Sequence, residues 1–308
     1  MNEITIGTRR SQLARIQTTF VRGSLERRFP ELKMEERVIL TKGDKILDAP
    51  LAKIGDKGLF TREIEAELLE GAIDMAVHSY KDLPTELPEG LEVGAVLERV
   101  PPEDAIVGPA GATLESLRGG ARVGTSSLRR IAQLLHARPD LNILDVRGNV
   151  NTRIAKLDAG EYDALILARA GLQRMGCEER MSSALGPEGW YHAVGQGALA
   201  IEIRVGDERM KKIVAALEHE PTRRATDAER AFLRELEGGC QIPVGVRTSI
   251  SNGWLTLSGM VAGLKGDPFI EDAESGPVEE AEAIGGRLAK RLYGCGGREV
   301  LECIRKPE

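Results

Sequence analysis

Isoleucine at positions 4 and 6 alternates with polar residues from Glu3 to Gly7, the two-residue period of a half-buried strand. From Ser11 the apolar positions shift to Leu13, Ile16, Phe20, Val21 and Leu25, which predicts an amphipathic helix running to about Arg28. Alternation then resumes: a strand from Glu36 to Leu40, a helix from Thr61 to Leu69 and a strand from Ile73 to His78. After Pro101 and Pro102 a second series predicts a strand at Arg122 to Gly124, a helix at Leu128 to Ala137 and a strand at Asn142 to Val146. A helix from Val150 to Leu157 and a strand from Ala164 to Ala168 complete it. Strands separated by helices imply parallel or mixed sheets. The openings ITIGTRRSQLARIQ and ARVGTSSLRRIAQ echo one another as strand, Gly-Thr turn and helix.

The last ninety residues change character. A helix is predicted from Asp227 to Glu237, followed by VGVRTSI and WLTLSGMVAG on either side of Ser251-Asn252-Gly253, then a helix from Glu279 to Leu292. Asn-Gly between alternating runs signals a hairpin. Thr226 and Glu229 have capping-box spacing, and Gly238 suits the position after the last helical turn. Cys240 would then follow a helix end and two glycines into an irregular loop.

A length of 308 residues suggests two domains, with room for a third. No apolar run approaches the roughly 18 residues of a membrane span, and the N-terminus shows no basic segment leading into an apolar one, so a cytoplasmic setting is the expectation. The four cysteines, Cys177, Cys240, Cys295 and Cys303, form no CxxC pair and have no histidine at ligand spacing, which argues against a metal site or a disulfide framework. The four histidines are scattered. A net charge of -6 disfavours a dedicated nucleic-acid binder. Yet 30 of the 42 basic residues are arginine, and six of them stand between Ala121 and Arg153 against only Asp140 and Asp145. Guanidinium is the better fork for carboxylate or phosphate, so an acidic chain with this stretch points to an anionic small ligand.

The Gly-Thr turns put backbone N–H groups at helix starts, where an anion is favoured. Thr125, Ser126, Ser127, Arg129 and Arg130 crowd the second turn, and Arg147, Asn149 and Arg153 follow the next strand. Taken alone, a Ser-Ser helix start is more often an N-cap beside solvated arginines. Two such starts plus the second arginine group favour an anion cradle, because loops at strand carboxyl ends share one crevice. HSYKDLP places Lys81 and Asp82 at another strand end: either a surface ion pair, or an aspartate that holds developing positive charge or relays a proton. The lysine-rich loop of residues 41–58 reads as a mobile cover. P-loop, dinucleotide, GxSxG and HExxH signatures are all missing.

In order along nearly the whole chain, GTRRSQLA, LAKIGDKGLFTREIE, DMAVHSYKDLP, VGTSSLRR, DVRGNVNTR, ALILARAGLQRMG, GQGALAIE and EGGCQIPVG resemble the porphobilinogen deaminase family. The resemblance implies an α/β fold of two periplasmic-binding-protein-like α/β domains plus a C-terminal α+β domain. Domain 1 would take residues 1–97 and 196–216, the chain returning to it near GQGALAIE; domain 2 would take 98–195 and domain 3 217–308. It implies a transferase of tetrapyrrole and heme biosynthesis. Four porphobilinogens are joined head to tail with loss of ammonia, on a dipyrromethane cofactor held as a thioether by Cys240, and the linear tetrapyrrole hydroxymethylbilane is released.

The resemblance further implies that Asp82 bonds the pyrrole N–H groups, stabilises the cationic azafulvene and helps to move protons. Lys81, Thr125, Ser127, Arg129, Arg130, Arg147 and Asn149 would hold cofactor carboxylates; Arg9, Ser11, Arg153, Arg174 and Gln196 would hold substrate. Lys53 and Lys57 would belong to a closing lid. A thioether made once does not need a strongly nucleophilic cysteine, which matters because a preceding helix C-terminus disfavours the thiolate. The implied enzyme is a monomer whose partners are porphobilinogen and the growing oligopyrrole, with no nucleic acid, membrane or metal. The rival reading is a non-catalytic two-domain protein that clamps a small anion, since fold alone does not settle function.

Overall fold

The computed structural model describes residues 3–45, 58–186, 188–236 and 242–305. Gly238, Cys240, Lys53 and Lys57 lie outside these residues. The chain divides into two compact units: Met1–Ala49, Asp56–Val100 and Gly197–Arg223 form the first, and Pro50–Gly55, Pro101–Gln196 and Arg224–Glu308 the second.

In the first unit, Ile4 and Ile6 point from strand Glu3–Arg9 into a core with Val21 and Leu25 of helix Gln12–Glu26 and Met75 and Val77 of strand Met75–Ser79. The sheet order is Lys33–Ile39, Glu3–Arg9, Met75–Ser79, Leu199–Arg204, Leu91–Val96. The first three strands are parallel; Leu199–Arg204 is antiparallel to both neighbours, with Leu199 opposite Ser79. This returning strand comes from more than a hundred residues downstream of Leu91–Val96 and closes a core that local periodicity does not reveal. Parallel strands end together at one edge, so Arg9 and Ser79 fall on the same side.

The second unit repeats the plan with a sheet ordered Asn142–Leu144, Arg122–Gly124, Ala164–Ala168, Asp104–Val107, Met181–Leu185. Here too the first three strands are parallel and the fourth is antiparallel to both neighbours. The fourth strand now comes from upstream, and the two echoing strands, Glu3–Arg9 and Arg122–Gly124, hold equivalent second places. Because Asp104–Val107 runs antiparallel, its first residue lies opposite Ala168, at the carboxyl end of a parallel strand. That register decides where the Asp104 carboxylate goes.

The same unit holds a three-stranded antiparallel sheet, Val244–Ser251, Trp254–Ala262 and Phe269–Pro277. Asn252 and Gly253 both take positive φ, 52° and 77°, the two-residue turn the Asn-Gly pair predicts. Strand Phe269–Pro277, reading FIEDAESGP, is an exposed acidic edge without apolar alternation, so the sequence pattern misses it. The expected capping box is corrected. The helix spans Glu220–Glu235, which puts Thr226 in its interior, fully buried, while Glu229 accepts hydrogen bonds from Gly195 N and Thr248 Oγ1, each at 2.8 Å. Helix Ala281–Leu292 packs on this helix through Gly285, where a Cβ would collide with Ala228 O and Phe232 N. Gly285→Ala is therefore expected to cost about 1–3 kcal/mol, read as a lower thermal midpoint.

Candidate functional site

In the first unit Arg9, Ser11, Gln17, Phe60, Ser79 and Asp82 line one recess. Arg9 leaves the end of its strand, stacks over the Phe60 ring at 4.0 Å and donates from Nη2 to Asp44 Oδ1 at 2.7 Å. Its Nε is buried and has no hydrogen-bond partner among the described residues. Ser11 acts as the N-cap of helix Gln12–Glu26, accepting from Ala14 N at 3.3 Å. Gln17 and Ser79 hydrogen-bond each other at 2.8 Å. Lys81 and Asp82 sit on the single 3₁₀ turn Tyr80–Asp82 that follows strand Met75–Ser79. Among the described residues no hydrogen bond engages the Asp82 carboxylate.

His78 forms part of the same wall and is itself buried, its Nε2 3.0 Å from the fully buried Glu202 Oε2. Glu65 is buried nearby; burial pushes its carboxyl above the usual range, and the charge of Glu202 adds to this. A raised folded-state value means that the proton is held more tightly in the folded than in the unfolded chain. The native state is therefore favoured below the ordinary carboxylate value and loses that advantage as pH rises through the raised one. Glu65→Gln is expected to raise the thermal midpoint at pH 8 and to leave it unchanged at pH 4, as melting curves at the two pH values would show.

In the second unit Thr125, Ser127, Arg129 and Arg130 gather where strand Arg122–Gly124 passes into helix Leu128–Ala137. Ser127 stands at the N-cap, but its side chain makes no capping bond; its N–H instead donates to Thr125 Oγ1 at 3.3 Å. Arg129 and Arg130 are 5% and 6% exposed and are not solvated. Both reach Asp104, 0% exposed: Arg129 Nη1 at 2.7 Å and Arg130 Nη2 at 2.6 Å. Trp190 Nε1 at 2.9 Å and Gln196 Nε2 at 2.8 Å complete four donors to this one carboxylate. Burial alone would raise the Asp104 carboxyl; the charges of Arg129 and Arg130 outweigh it and hold the group well below the usual carboxylate range. Gln196 also donates to Pro102 O at 2.6 Å, so its amide nitrogen is committed to the scaffold. Arg129 Nη1 and Arg130 Nη1 donate to the carbonyls of Tyr191 and Ile166.

The second arginine group follows strand Asn142–Leu144. Asn149 caps helix Val150–Asp158, its Oδ1 accepting from Thr152 N at 2.9 Å. Arg147 lies 3.6 Å from Asp145, and Arg153 donates from Nε to Gly148 O at 2.8 Å. Arg153 is pushed down to about 10, first by burial and then by the like charges of Arg130 and Arg147. Burial pushes Arg174 down to about 10 as well. Arg130 Nε is buried without a partner among the described residues. Guanidinium groups gathered close enough to disfavour one another's charge, beside the orphaned buried donor Arg130 Nε, suit carboxylate groups such as the acetate and propionate of a pyrrole.

Sequence reasoning missed Asp104 and Trp190. The available signal was an aspartate opening the apolar run DAIV, since a carboxylate entering a buried strand needs cations and the chain has arginines to spare. Among the described residues no cluster of three or more His, Cys, Asp or Glu side chains could hold a metal ion, and no helix is long and apolar enough to cross a membrane.

Comparison with known proteins adds the chemistry. The family model for the porphobilinogen deaminase, dipyromethane cofactor binding domain matches residues 4–212, and that for the porphobilinogen deaminase C-terminal domain matches residues 224–294. The porphobilinogen deaminase of Synechococcus elongatus is 55% identical over 304 residues, covering 98% of this chain and 95% of the relative. That of a Nostoc species is 53% identical over 304 residues, covering 98% and 94%. Among solved structures, a putative methionine-binding lipoprotein from Bacillus subtilis aligns at a TM-score of 0.43 and 13% identity, over 72% of this chain and 92% of its own. With matches to both family domains and more than half of its residues shared across nearly its whole length, the chain belongs to the porphobilinogen deaminase family.

Proposed function

We propose that this chain, a transferase of tetrapyrrole biosynthesis, condenses four porphobilinogen molecules head to tail using Asp82 for the charge and proton chemistry and its buried arginines for carboxylate binding. The observation that carries the assignment is the gathering of Arg130, Arg147 and Arg153, with Arg130 Nε buried and without a partner among the described residues. When bound, dipyrromethane supplies the pyrrole carbon onto which the units are joined. Lys81, Thr125, Ser127, Arg129, Arg130, Arg147 and Asn149 hold the cofactor's acetate and propionate groups; Arg9, Ser11, Arg153, Arg174 and Gln196 hold those of the substrate. Cys240 carries the thioether, and Lys53 and Lys57 belong to the lid.

Each addition breaks the bond from the aminomethyl carbon to nitrogen, forms a carbon–carbon bond and removes one proton from the attacked pyrrole carbon; that proton leaves with ammonia as ammonium. Asp82, an unengaged carboxylate at a strand end, accepts the pyrrole N–H, faces the positive charge that appears as ammonia departs and carries the proton. The three-domain division at residues 97/98, 195/196 and 216/217 belongs to the same reading, supported by separate cores around Ile6, Val123 and Phe232. So do a cytoplasmic location and a monomeric state, the latter checked by light scattering.

Incubation with porphobilinogen tests the function. One ammonium released per porphobilinogen consumed, with a linear tetrapyrrole formed, is the expected result. Binding of porphobilinogen without ammonium would establish the anion-clamping reading instead.

A further inference from the structure

Asp104 stands outside every assigned role, yet four donors converge on its fully buried carboxylate. It is fully buried and accepts four hydrogen bonds of 2.6–2.9 Å, two on each oxygen: Arg129 and Trp190 on Oδ2, Arg130 and Gln196 on Oδ1. The antiparallel strand it opens delivers it to the edge where helix Leu128–Ala137 begins. Two neighbouring arginines would otherwise repel each other and sample many rotamers; a shared carboxylate removes one of their two charges and fixes both planes. We propose that Asp104 is the positioning residue of the carboxylate-binding site, holding Arg129 and Arg130 so that their remaining N–H edges, Arg130 Nε among them, meet the acid side chains of the pyrrole substrate and cofactor. This rests on the assignment of those arginines to carboxylate binding.

Asp104→Glu tests it, because charge is kept while the guanidinium groups are displaced by about one methylene. The full chain would be purified in this form and as Arg130→Gln, with cofactor retention read by intact mass, kcat and KM for porphobilinogen read separately, and the fold followed by thermal melting. Displacement of about 1 Å at a positioning contact predicts a folded Asp104→Glu protein with reduced cofactor retention and KM raised about 10- to 100-fold, more than kcat falls. A lower melting midpoint with cofactor mass and KM unchanged would assign Asp104 to stability alone and overturn the proposal. Wild-type retention and KM in Arg130→Gln would instead overturn the arginine assignment itself. Should Asp104→Glu not fold, Trp190→Phe removes one donor to Oδ2 without changing charge. A several-fold rise in KM supports the role, and an unchanged KM refutes it.

Discussion

The Asp82→Asn protein is expected to retain its cofactor and to turn over about 10²- to 10⁴-fold more slowly than the parent. The amide keeps the size of the side chain and one acceptor oxygen, so a pyrrole N–H can still be met. What it loses is the negative charge that opposes the cation formed when ammonia leaves, and the ability to take up a proton. The effect is large because the carboxylate has no partner among the described residues to share that work, and because Arg9 and Lys81 on neighbouring segments are cations that cannot replace it. The fold should be unaffected, since Asp82 ends a single 3₁₀ turn and its side chain lies outside the core clusters. Intact mass and the rate of ammonium release read the two halves of this expectation on one preparation. Wild-type turnover would remove Asp82 from the mechanism; loss of cofactor mass as well would recast it as a cofactor-holding group.

The Cys240→Ser protein is expected to lack the added mass of two pyrrole units and with it essentially all activity. A serine ether could not form under the conditions that make a thioether, because the alcohol is a far weaker nucleophile than a thiol. The remaining cysteines provide internal controls. Cys177 is half-buried, with its thiol 3.5 Å from Met175 O, while Cys295 and Cys303 are exposed. Replacing any of these by serine should leave the covalent mass in place. Because a bound group stabilises the state that binds it, Cys240→Ser should also melt earlier than the loaded parent, and incubation with porphobilinogen should add no covalent mass to it. Covalent mass persisting in Cys240→Ser would move the attachment to another side chain, which peptide mapping would identify.

The sequence by itself determined the parts whose cause is local. Helix Leu128–Ala137 and strands Arg122–Gly124 and Ala164–Ala168 fall where the apolar period puts them, because a strand or helix buried on a fixed face must repeat its apolar residues at the backbone's own period. The Asn252-Gly253 turn was equally legible, since positive φ is a property of single residues. The arginine surplus pointed to an anionic ligand for the same reason: charge is carried in the residues themselves.

Tertiary structure decided the pairings. Leu199–Arg204 enters the first sheet between Met75–Ser79 and Leu91–Val96, and Asp104–Val107 enters the second between Ala164–Ala168 and Met181–Leu185, with nothing in either strand's period to name its neighbours. Thr226 and Glu229 have capping-box spacing, yet the helix starts six residues earlier and Glu229 serves Gly195 and Thr248. The sequence reads Arg129 and Arg130 as part of an anion cradle, but only a strand laid antiparallel brings the carboxylate of Asp104 between them. Periodicity reports which face of an element is buried, whereas the partner of a buried charge depends on which distant strand is laid beside it. That choice is made by the burial of the whole sheet and only then becomes visible at the site.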